Sequence, residues 1–121
     1  MKFVARTDIG KRRRYNEDCY LIDDKIGLFV IADGMGGHNA GDVASQLAVD
    51  VFREWTESSS ITDLFVSEKT TIVYTIDQLV VDANTRIYTE SKMSPTHHGM
   101  GTTLIAGICH DNLISYVHIG D

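Results

Sequence analysis

Three features of this chain predict an α+β fold in which an antiparallel sheet carries helices on one face. Apolar runs bounded by turn residues occupy positions 18–22 and 27–33. The apolar period then shifts to three and four residues over 43–55, and again over 72–87. Two further apolar runs, 102–109 and 113–119, flank an Asp111-Asn112 pair. The order strands, two helices, strands leaves each helix one apolar stripe to bury against the sheet.

The elements follow in chain order. Phe3 to Thr7 alternates apolar and polar residues and predicts a first strand. The runs at 18–22 and 27–33 predict a second and a third, joined as a hairpin through Asp23-Asp24-Lys25. Leu28-Phe29-Val30-Ile31-Ala32 delivers Asp33 into a glycine-rich stretch, Gly34-Met35-Gly36-Gly37, expected to be a turn. Val43, Ala44, Leu47, Ala48, Val51, Phe52 and Trp55 then mark an amphipathic helix. A polar loop from Glu57 to Thr62 separates it from a second helix carried by Ile72, Ile76, Leu79, Val80, Ala83 and Ile87. Ser91 to Gly99 holds the single proline and reads as a loop. Asp-Asn between the last two runs favours a tight hairpin turn.

Composition narrows the class. With 121 residues and 43% hydrophobic content, one domain with a modest core is expected. No apolar run approaches the roughly 18 residues of a membrane helix. Met1-Lys2-Phe3-Val4-Ala5-Arg6 lacks the apolar stretch of a signal peptide, so a cytoplasmic address is expected. Cys19 and Cys109 have neither paired nor metal-ligand spacing and read as reduced core thiols. A net charge of -6 argues against nucleic acid and gives no reason for membrane binding.

The chemistry-bearing residues cluster around Asp33. A carboxylate beside glycines, whose carbonyls can approach a ligand closely, suits a hard divalent cation. Upstream stands Arg13-Arg14-Tyr15-Asn16-Glu17-Asp18. Glu17 and Asp18 alternate in direction at a strand start, so one can face a cation shared with Asp33 while the other supports it. Carboxylates converging there repel one another, and a bound Mg²⁺ or Mn²⁺ relieves the repulsion. Arg13 has the planar fork that suits a phosphate, although Lys11-Arg12-Arg13-Arg14 also reads as a solvated basic loop. A cysteine-based phosphatase needs arginine six residues after its nucleophile, and those positions hold Lys25 and Ser115. No Gly-x-x-x-x-Gly-Lys loop supports nucleotide hydrolysis. His97, His98, His110 and His118 read as loop or strand histidines with packing or hydrogen-bonding roles.

Thr7-Asp8-Ile9-Gly10, Arg13, Asn16-Glu17-Asp18, Asp33-Gly34-Met35-Gly36-Gly37-His38, Gly99-Met100-Gly101-Thr102-Thr103 and Gly120-Asp121 occur in this order. Together they resemble the metal-dependent serine/threonine protein phosphatases of the type-two-C class, in their bacterial form. The resemblance implies a sandwich of two antiparallel sheets flanked by helix pairs, with metals at one end. It implies hydrolysis of phosphoserine or phosphothreonine on proteins at a binuclear Mn²⁺ or Mg²⁺ site, by a metal-activated water. Arg13 matches the arginine that holds the substrate phosphate, and Glu17 a carboxylate serving one metal, with Asp18 its hydrogen-bonding neighbour. Asp33 matches the aspartate bridging both metals, Gly34 the glycine whose carbonyl completes one coordination sphere, and Asp121 an aspartate used for a third metal. Gly101 and Thr102 match a supporting turn.

Two departures from the pattern shape the expectation. Some members carry a histidine directly after Asp-Gly as proton donor to the leaving group; here that place holds Met35, and His38 is the candidate acid. The chain also stops at Gly120-Asp121, inside a motif that continues with serine and arginine in relatives. Residues 1–121 are therefore expected to be the amino-terminal part of one phosphatase domain, with further metal aspartates outside it. A phosphoprotein substrate and a cognate serine/threonine kinase are the implied partners. The competing expectation is an incomplete phosphatase-like fragment that binds a cation or a phosphoprotein without turnover.

Overall fold

The computed structural model describes residues 18–37, 40–58 and 69–120, and the strand expected over 3–7 lies outside them. Four strands form one antiparallel sheet in the order β1-β2-β3-β4: β1 Asp18–Asp23, β2 Leu28–Met35, β3 Gly101–His110 and β4 Leu113–Ile119. Two helices separate β2 from β3 in the chain, α1 Ala40–Thr56 and α2 Lys69–Met93. The α+β class read from the sequence is the class observed. Of the expected sandwich, the described residues supply one sheet and one helical pair.

Side-chain alternation gives the sheet two unlike faces. Leu28, Val30 and Ala32 on β2, with Leu104, Ala106 and Ile108 on β3, are buried beneath the helices. They pack with Val49 and Phe52 of α1 and with Ile72, Ile76, Leu79 and Ala83 of α2 in one apolar cluster. Each fully buried aliphatic or aromatic side chain there contributes roughly 1.5–3 kcal/mol relative to exposure. The opposite face presents Tyr20, Ile31, Ile114 and Tyr116 to solvent.

Three local readings change. Ser91 to Met93, expected in a loop, continue α2, and a short 3-10 turn covers Pro95–His97. The buried stripe of α1 is rotated toward Gly41, Ser45 and Val49, while Val43, Leu47 and Trp55 are only partly buried. Ser45 tolerates full burial because its hydroxyl reaches the Asp42 carbonyl at 3.2 Å and Cys19 Sγ at 3.4 Å. Gly34 and Met35, expected in a turn, lie inside β2. Asp33, Gly34 and Met35 pair with Thr103, Thr102 and Gly101, so the strand ends only at Met35. A long partner strand overrode the local turn preference of Asp-Gly.

Among the described residues no helix is long and apolar enough to cross a membrane.

Candidate active site

The register of the sheet assembles the site. Asp33 on β2 is flanked on one side by Asp18 of β1 and on the other by Thr103 of β3, each its direct cross-strand partner. Partners in register project to the same face, so both carboxylates stand at one end of the solvent-facing side of the sheet. Their Cβ atoms are then roughly 4.5–5.5 Å apart, a spacing at which like charges destabilise a strand pair. Asp33 is exposed and Asp18 half-buried, with its Oδ1 enclosed.

Gly34 turns the other way, toward α1. A Cβ at this position would lie 1.8 Å from the Gly41 carbonyl oxygen, so only glycine lets the helix start this close to the strand. Thr103 supports Asp33 from the opposite strand: its hydroxyl accepts from the Asp33 N–H at 3.3 Å and donates to the Asp33 carbonyl at 3.4 Å. The neighbouring Thr102 hydroxyl donates to the Thr103 carbonyl at 2.7 Å. The sequence pointed to Gly101 and Thr102 as support, and in the structure the adjacent Thr103 contacts Asp33. Strand register is the missing signal: strands over 27–33 and 102–109 include both residues, but nothing local in the sequence says that Asp33 faces Thr103.

The structure thus brings Asp18, Asp33 and Gly34 together, while Arg13, Glu17, His38 and Asp121 lie outside the described residues. Among the described residues no group of three or more His, Cys, Asp or Glu side chains could hold a metal ion. The donors present are two carboxylates beside backbone carbonyls, an all-oxygen set of the kind that suits Mg²⁺ or Mn²⁺. They fit such a cation in chemistry.

The family described as protein phosphatase 2C matches residues 11–121. The chain belongs to that family. A serine/threonine phosphatase, Stp, from Listeria innocua is 39% identical over 121 residues, covering 96% of this chain and 46% of its own length. The serine/threonine protein phosphatase PstP of Mycobacterium tuberculosis is 36% identical, over 100% of this chain and 22% of its own. A crystal structure of the PstP catalytic domain in complex with two manganese ions superposes with a TM-score of 0.79 at 35% identity, covering 96% of this chain and 46% of that one. Serine/threonine phosphatase Stp1 from Staphylococcus aureus gives 0.79 at 27% identity, over 94% of this chain and 44% of that one. This protein phosphatase 2C chain therefore spans about half the length, or less, of the relatives it matches.

Proposed function

We propose that this protein hydrolyses phosphoserine and phosphothreonine on proteins, using water activated at a binuclear Mn²⁺ or Mg²⁺ centre. The observation that carries the reading is Asp33 at the solvent-facing end of β2 with Asp18 directly opposite it, in a chain of the protein phosphatase 2C family. The manganese ions bound by the related PstP domain support the choice of metal. Residues 1–121 are read as the amino-terminal part of one such domain.

When bound, the cations lower the pKa of coordinated water and neutralise phosphate oxygens. Asp33 would help hold both ions through its carboxylate, Gly34 would contribute its carbonyl oxygen and Glu17 a further carboxylate. Asp121 would serve a third ion. Arg13 would grip the substrate phosphate with its planar fork, orienting it for in-line attack. His38 would protonate the departing serine or threonine oxygen. The substrates are then phosphoproteins made by a serine/threonine kinase in the cytoplasm.

Release of phosphate from a phosphothreonine peptide by the complete domain, with and without Mn²⁺, tests this against an Asp33→Asn control; residues 1–121 alone are expected to be inactive. Metal-dependent turnover that disappears in the control is expected. Mn²⁺ binding without turnover would overturn the enzymatic reading in favour of a cation-binding module.

A further inference from the structure

Thr103 touches two segments that the proposed chemistry needs, and it does so with different branches of one side chain. Its Oγ1 meets both main-chain polar groups of Asp33, at 3.3 Å and 3.4 Å. Its Cγ2 occupies the space beside Gly120, where an added Cβ would lie 2.8 Å away. Gly120 has φ 92°, a conformation that glycine adopts without steric cost, and it directly precedes Asp121 in the chain. Both hydroxyl contacts are near the long limit for hydrogen bonds, so each is weak singly. A β-branched residue, however, is stiff at χ1, and one rotamer fixes both branches together.

Strand propensity alone would account for threonine in β3, since β-branched residues suit a pleated surface. It would not account for the hydroxyl serving Asp33 on one side while a glycine at 120 makes room for the methyl on the other. Valine has the same shape and serine keeps the hydroxyl; only threonine supplies both contacts.

We propose that Thr103 is a positioning residue that sets the Asp33 main chain with its hydroxyl and Gly120, at the end of the β4 segment, with its methyl. The Asp33 carboxylate and the Gly34 carbonyl hang on that stretch of main chain, so its orientation fixes where both oxygens point. This inference rests on the reading of Asp33 and Gly34 as metal-directed groups, and its structural part stands without metal.

Two variants separate the branches, each followed in the metal-free protein by amide hydrogen exchange and then by Mn²⁺ calorimetry. Thr103→Val should speed exchange at Asp33 by about twofold, the low end of one neutral hydrogen bond since the sheet ladder between the two residues remains, and weaken Mn²⁺ binding. Thr103→Ser should keep wild-type exchange at Asp33 and instead speed exchange across 113–120. If the valine variant does not fold, Thr103→Ala replaces it and must exceed Thr103→Ser in exchange at Asp33. Equal exchange at Asp33 in the hydroxyl-bearing and hydroxyl-free variants would overturn the proposal. Wild-type protein that binds no Mn²⁺ would instead sink the metal reading, with the exchange contrast still deciding the role of Thr103.

Discussion

Gly34 and Gly41 meet backbone to backbone. A Cβ built on Gly34 would sit 1.8 Å from the Gly41 carbonyl oxygen and 2.9 Å from its Cα, so the end of β2 runs directly beneath the first turn of α1. The glycine after Asp33 is thus required by packing, whatever its carbonyl also does. Because the obstacle is main chain, no rotamer change can relieve it. Gly34→Ala must push strand and helix apart, and overpacking of this kind costs about 1–3 kcal/mol. Urea denaturation should show the loss, and an unchanged midpoint would mean that α1 is not seated as described.

The helices are tied to each other at the surface by Arg86 of α2 and Glu54 of α1. The Arg86 hydrogen bond, partly offset by burial, holds the Glu54 carboxyl below its usual value; the same bond raises Arg86. A carboxylate whose pKa is depressed on folding adds stability above its unfolded pKa and loses it as pH falls through the folded one. The stability gap between wild type and Glu54→Gln should therefore be present at pH 7 and close as the solution is acidified below about pH 4. Both groups are exposed, so about 1 M salt should shrink the gap as well. Thermal melts across pH and salt measure it, and a gap that persists in acid would contradict the pairing.

The sequence made the element order and most of the α2 stripe legible because both depend on local periodicity. Ile72, Ile76, Leu79 and Ala83 are buried as their spacing requires. What it could not give was register. The pairing of Asp18 with Asp33, and of Thr103 with Asp33, joins residues 15 and 70 positions apart, and no local pattern encodes which strand residues face each other. The same gap explains why Gly34-Met35 reads as a turn: the glycine-rich stretch favours one, and only the partner strand extends β2 past Asp33. Burial of Ser45 is not legible in the sequence, because a polar residue reads as exposed until the Asp42 carbonyl and Cys19 stand beside it.

The β3–β4 hairpin closes through Asp111 and Asn112, with φ of 49° and 63°. Positive φ at both central residues is the primed turn geometry that matches strand twist, and Asp and Asn tolerate it better than other residues with a side chain. Asn112→Ala should cost about 1 kcal/mol, because alanine meets the full steric penalty of the left-handed region. Asn112→Gly should be neutral or mildly stabilising. Thr103 and Gly120 lie at the opposite, open end of this hairpin, so neither substitution should alter the Asp33 segment. Thermal melts should therefore separate alanine from glycine while hydrogen exchange at Asp33, corrected for global stability, stays constant. A change at Asp33 would mean that the turn sets the register at the site, rather than the contacts Thr103 makes at the open end.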